Sequence, residues 1–161
     1  MAEQHGHLYP LAEVHDVITA RGWHDIHIDP PAPIRATCIS TVGFALVGQP
    51  EIVCIGLPHG HVTTFVRQIY HRLSHQRFYR VGPIYTDLAN HPVTFGRVSD
   101  RWREKICTVT TGYYARYHGG LAFEAIQLIW SDKQNRLPSN PRYDPTMRRM
   151  QTLLDETARS A

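Results

Sequence analysis

Apolar side chains recur along this chain with two different periods, and the changes of period mark out its elements. Leu11, Val14, Val17 and Ile18 fall at helical spacing and Gly22 follows as a helix-ending residue. The pattern predicts a first helix over about Pro10 to Arg21, opened by its proline. Trp23–Ile28 alternates and predicts a short edge strand. Asp29–Pro33 lacks an N–H at three of its five positions, so it reads as a rigid connector. Arg35–Phe44 carries the β-branched Ile39, Thr41 and Val42 and predicts a strand, with Gly43 marking a bulge or a close backbone approach. Val47–Pro50 is a turn. Ile52–Leu57 is a continuous apolar run, as in a strand covered on both faces. The short turn between the two runs predicts an antiparallel hairpin.

The period then changes. Val62, Phe65, Val66, Ile69, Tyr70 and Leu73 give the clearest helical stripe in the chain. An irregular stretch, Phe78–Pro92, follows, broken at Gly82-Pro83, and Val93–Val98 predicts a third strand of the sheet. Asp100 is a plausible cap for a helix carrying Trp102, Ile106, Val109, Tyr113 and Tyr117 on one side, weakened by Gly112 and ended at His118-Gly119-Gly120. Leu121–Trp130 predicts a further strand, Ser131–Arg136 a polar turn and Leu137–Pro141 a loop. Asp144-Pro145 opens a last short helix, docked by Met150, Leu153 and Leu154, before a tail expected to fray. Helices interspersed with strands in this order predict one α+β domain over residues 1–161, with a mixed or mostly antiparallel sheet. A small closed barrel with peripheral helices is the alternative.

Composition agrees with a folded domain. The 161 residues are 42% hydrophobic and 19% charged, ordinary for a globular chain. No apolar run reaches the length of a membrane span, and the first ten residues show no secretory pattern, so a cytoplasmic protein is expected. Cys38, Cys54 and Cys107 are odd in number and form no CxxC pair, so they read as buried thiols; a disulfide between the two strand cysteines is the alternative. The net charge of +3 is uneven: residues 1–66 sum to −4, residues 67–116 to +6 and residues 117–161 to +1. The middle segment either forms a solvated face or meets an anion, an acidic partner or nucleic acid.

Several blocks of residues are familiar together. Thr41-Val42-Gly43-Phe44, then Pro50-Glu51-Ile52-Val53 with Gly56-Leu57-Pro58, then Gln127-Leu128-Ile129-Trp130-Ser131-Asp132 occur in that order, with Pro92–Phe95 and Tyr114–Gly119 between them. The chain over about 36–155 resembles a bacterial and phage domain-of-unknown-function family, numbered 4262 in its series. Ser40, Gln49 and Ser131 stand where that family often has tyrosine, histidine and proline. The resemblance implies a compact α+β domain and supplies no mechanism.

Candidate chemistry gathers where the second strand of the hairpin enters the long helix. His59 and His61 project to one side if that segment is extended, and a helix N-terminus favours an anion. A metal would need further ligands from His91, His118, Asp132 or Glu51, and no metal or cofactor is expected. His71 and His75 share a helix face, but the face opposite the apolar stripe, so they read as solvated. Glu51, opening an apolar strand, is a structural contact, a partner for an arginine such as Arg97, or an acid with a raised pKa. Gln127 on an apolar strand face must find partners, and Trp130 either caps the core or stacks on a planar ligand. The aromatic cluster Tyr113, Tyr114 and Tyr117 reads as core. Walker, GxGxxG, HExxH and GxSxG patterns are missing from the sequence.

The reading with most support is a small accessory protein that binds a small anionic molecule or a protein partner at the 57–62 junction. Thr41, Gly43, His59, His61, Gln127 and Trp130 are its candidate binding residues. One alternative is an enzyme using His59 or His61 for acid–base chemistry, with Glu51 or Asp132 as the carboxylate. Another is a binder of nucleic acid or an acidic partner through residues 67–116. A homodimer is compatible with all three.

Overall fold

The computed structural model describes residues 10–155, and its core is laid on both faces of a single mixed sheet. Helix α1 (Leu11–Arg21) starts one residue after Pro10, which sits at the cap, and ends at Gly22 with φ of +94°. Strand β1 (His24–Ile28) is one edge of the sheet, as the alternation predicts. Strands β2 (Cys38–Val42) and β3 (Glu51–Ile55) form the expected antiparallel hairpin, and every residue of both is buried. A 3₁₀ turn, Phe44–Val47, replaces the end of the predicted strand. Gly56, with φ of +94°, ends β3 before Leu57. A Cβ there would stand 2.6 Å from the Met150 carbonyl oxygen, so both the turn and the close approach require glycine.

Helix α2 (His59–Leu73) carries the apolar stripe inward through Val62, Val66, Ile69 and Leu73. Strand β4 (Ile84–Tyr85) lies inside the stretch expected to be irregular; at two residues it is too short to show a period. Strand β5 (Val93–Arg97) follows. The single helix expected next is two: α3 (Asp100–Ile106), capped by Ser99 rather than Asp100, and α4 (Thr108–Tyr117), with a break at Cys107. Strand β6 begins at Ala125, not Leu121, and runs to Trp130. Helix α5 (Pro145–Met150) is capped by Asp144 as expected. Met150 does not dock it: that side chain is exposed, while Met147 packs on the core and Leu154 is buried beyond the helix. The N-terminal stretch without a secretory pattern and most of the tail expected to fray lie outside the described residues.

The strand order is β1-β2-β3-β6-β5-β4, antiparallel except for the β3–β6 pair, in an open sheet with two edges rather than a barrel. This is a single-sheet α+β domain. One face packs Val14, Ile18, Trp102, Ile106, Tyr113 and Tyr114 from α1, α3 and α4; the other packs the α2 stripe with Phe44, Tyr79 and Phe95. Each fully buried large apolar side chain contributes about 1.5–3 kcal/mol. The hairpin register sets Cys38 beside Ile55 and Cys54 beside Ile39, and the two thiols belong to opposite core layers. A disulfide between them is therefore excluded. All three cysteines are free and buried, and burial pushes each thiol up to about 12.

Three buried glutamines hold the irregular segments onto this sheet. Gln49 donates to the Tyr79 carbonyl at 2.9 Å and accepts from the Tyr79 N–H at 2.8 Å. Gln127 donates to the Thr152 carbonyl at 2.7 Å and accepts from the Leu154 N–H at 2.9 Å. Gln151 accepts from the Trp130 N–H at 2.9 Å and donates to its carbonyl at 3.0 Å. In each case a side-chain amide supplies the donor and acceptor that a neighbouring strand would offer.

Candidate functional site

Glu51 opens β3 and is fully buried, and four donors converge on it. Thr41 donates to Oε2 at 2.6 Å while accepting from the Ile52 N–H at 2.9 Å. The N–H groups of Gly43 and Ala45 reach Oε1 at 3.2 and 3.0 Å, and the Tyr114 hydroxyl donates to the same oxygen. The loop can wrap this way because residue 43 is glycine: its φ is +112°, and a Cβ would stand 2.3 Å from the Gly22 carbonyl oxygen. Burial pushes the Glu51 carboxyl up, against the lowering effect of its hydrogen bonds, and raises the Tyr114 hydroxyl beside it. The arginine proposed for Glu51 is not its partner: Arg97 is exposed on β5. Thr41 and Gly43, expected to meet a ligand, instead make the walls of this buried carboxylate cage.

The 57–62 junction is helical from His59 onward, so the two imidazoles do not share a side. His59 turns back to β1, where its Nε2 lies 3.0 Å from Asp25 Oδ2. The Thr63 hydroxyl donates to the same oxygen, Arg21 reaches Oδ1 at 3.2 Å, and His24 Nδ1 stands 3.5 Å from Oδ1. Burial would raise the Asp25 carboxyl, but the imidazole of His24, the Thr63 hydroxyl and the nearby His59 outweigh it and hold the group well below the usual carboxylate range. Asp25 is 5% exposed and the His59 side chain 48%, so a buried carboxylate orients a ring open to solvent. The carboxylate that meets a junction histidine is therefore Asp25, which sequence reasoning missed, and neither Glu51 nor Asp132. The available signal was an acidic residue inside a short strand, where acids are depleted.

His61 turns the other way, into a cleft of about 320 Å³ between α2 and the segment before β5. Its walls include Thr64, Gln68 and Asn90, and Phe65 and Leu88 supply an apolar floor. His91 stands at the far side, bonded to Asn135. The first turn of α2 has Pro58 at its cap, no side-chain cap and no acidic residue, and a Cβ on Gly60 would meet nothing within 4 Å. The N–H groups of His61 and Val62 are bonded to the Pro58 carbonyl at 3.0 and 3.2 Å, so an incoming acceptor would have to meet those of His59 and Gly60.

The remaining expected residues are committed elsewhere. Gln127 clamps the C-terminal segment. Trp130 is buried, with its indole N–H donating to the Ile55 carbonyl at 2.9 Å. Asp132 is buried and ties its own loop: Oδ1 accepts from Gln134 and Arg136 N–H groups, and Oδ2 from the Arg136 guanidinium and the Asp144 N–H. Burial would raise its carboxyl, but these bonds bring it below the usual range. Gln49 acts as a clamp, and the Ser40 and Ser131 hydroxyls are buried without a hydrogen-bond partner. His71 and His75 are exposed, with ring centroids 5.4 Å apart. Among the described residues no group of three or more His, Cys, Asp or Glu side chains is placed to hold a metal ion, and no helix is long and apolar enough to cross a membrane.

The pattern that defines the family described as Domain of unknown function (DUF4262) matches residues 17–144. The match starts ahead of the 36–155 span expected from the residue blocks, and so takes in Asp25 and β1 as well as the junction. No curated protein and no solved structure matches the chain.

Proposed function

We propose that this chain, which belongs to the DUF4262 family, is a small binding protein that holds an anionic small molecule at the first turn of α2. The body of the ligand would lie in the cleft beside His61. The observation that carries this reading is a cleft of about 320 Å³ with polar walls over an apolar floor, whose α2 side begins at His61 in the first turn of a helix without a side-chain cap. That volume sits at the lower end of the range for small-molecule sites, and a helix start favours negative charge. A cytoplasmic location suits such a role. Thermal-shift measurements against a panel of nucleotides, sugar phosphates and aromatic carboxylates test it. A hit should raise the melting temperature of the wild type, and His61→Ala and Gln68→Ala should each lose most of that rise. His75→Ala, on the solvated face, should keep it. A panel without a single hit, or a shift that survives both cleft substitutions, removes the reading.

The Asp25–His59 contact favours a second reading. With Nε2–H held by the carboxylate, Nδ1 is the free nitrogen and can take a proton as a general base. Turnover of a panel compound that is lost in both His59→Ala and Asp25→Asn would establish it. Turnover indifferent to both would eliminate it.

A further inference from the structure

The large apolar side chains left exposed are not scattered. Among the described residues, five of the seven come from two short segments: Leu46 and Val47, and Phe78, Val81 and Ile84. The structure joins these segments. Gln49 clamps Tyr79, and the Cβ position of Gly48 lies 3.8 Å from the Phe78 ring. Tyr79 points into the core while Phe78 and Arg80 on either side of it face outward. Ile84, the most exposed of the five at 61%, lies on β4, an edge of the sheet with no strand beyond it. Clustered apolar exposure of this kind marks an interaction surface, whereas isolated apolar residues do not.

Charge selects the occupant. Residues 42–50 and 74–86 contain no aspartate or glutamate, while His75, Arg77 and Arg80 stand among the exposed positions. Arg77 is neutralised by Asp87 at 2.6 Å; Arg80 has no ion pair among the described residues. The same two segments of a second copy would offer Arg80 no carboxylate. Single-stranded nucleic acid would use Phe78 and the arginines but leave Leu46, Val47, Val81 and Ile84 without a partner. We propose that this patch docks an acidic segment of a partner protein, in which a carboxylate meets Arg80 and apolar anchors cover Phe78 and Ile84. The open edge of β4 can take such a segment as an added extended strand.

Panning a phage-displayed random peptide library on the full chain tests this. Enriched peptides should place Asp or Glu beside aromatic or aliphatic anchors, and their affinity should fall as salt rises. Phe78→Ala and Arg80→Glu, both surface changes that leave the melting temperature in place, should each weaken a selected peptide by about thirty-fold or more, the scale of an interface hot spot. Failure to enrich, peptides without carboxylates, or binding that survives both substitutions would overturn the proposal. So would concentration-dependent dimerisation in sedimentation that Ile84→Asp abolishes, which would assign the patch to a second copy. Phe78-dependent binding to phosphatidylserine vesicles would overturn it in favour of a membrane surface.

Discussion

Glu51 and Asp25 are both carboxylates taken almost wholly out of water, each receives a hydroxyl hydrogen bond from a threonine, and their proton affinities move in opposite directions. Glu51 is met only by neutral donors: Thr41, Tyr114 and two backbone N–H groups. No cation offsets its burial, so burial wins and the carboxyl is pushed up. Asp25 is met by Thr63 and also by Arg21, His24 and His59, and the burial effect loses. Depth alone does not set the behaviour of a buried acid. Glu51 lies deeper and has neutral neighbours, Asp25 lies nearer the surface among basic side chains, and the two differences together separate a scaffold carboxylate from one that faces an open histidine.

The largest effect expected from breaking this contrast is at Glu51. Glu51→Ala strands four donors inside the core and should cost about 3–5 kcal/mol in urea denaturation, whereas Glu51→Gln keeps one acceptor and should cost about 1–2 kcal/mol. Equal losses in the two variants would mean that the cage matters only for its volume. Next comes Asp25→Asn, at about 1–2 kcal/mol, with His59→Ala near 0.5 kcal/mol because its ring is half in water. If His59→Ala costs as much as Asp25→Asn, then the imidazole and not the Arg21–Thr63 side holds the carboxylate.

The smallest effect, and the most diagnostic, is in pH dependence. Glu51 binds its proton more tightly folded than unfolded, so its contribution is complete below the ordinary value of 4.5 and is lost as pH rises through the folded value. Asp25 is the reverse: its contribution is complete above the ordinary 3.8 and is lost as pH falls toward the folded value. Subtracting the Glu51→Gln stability profile from that of the wild type should leave a difference that declines with rising pH above 4.5. The Asp25→Asn difference should decline with falling pH below 3.8. Two slopes of the same sign would show that the neighbours do not divide the acids in this way.

The sequence carries part of this contrast in plain view. The α2 stripe, the β2–β3 hairpin and the Asp144 cap follow from periods and turn chemistry, which are local properties. Glu51 stands out because it interrupts an apolar run. Its partner Tyr114 was hidden by the break at Cys107. A single unbroken helix turns Tyr113 and Tyr117 inward; the real α4 buries Tyr113 and Tyr114 together. Asp25 was hidden more deeply, because its meaning depends on His59, 34 positions away and brought close by the packing of α2 on β1. The two junction histidines looked like a pair because the helix was expected to start after them. It starts at His59, and that shift sends one ring to Asp25 and the other to the cleft. Strand β4 and the glutamine clamps have no period at all, so no pattern announces them.

Those clamps also decide where the instructions for the chain's path are stored. An amide that pairs with a peptide group does not read which residue bears it. The course of residues 152–154 is written in Gln127, at least 25 positions earlier on β6, while the segment itself adds little beyond a buried leucine at 154. Substitutions at Thr152 or Leu153 therefore leave the route intact. One change at Gln127 removes two of the backbone bonds that hold it and leaves the Ser99 N–H on the Leu154 carbonyl at 3.0 Å, so that end of the chain loosens without losing any of its own residues.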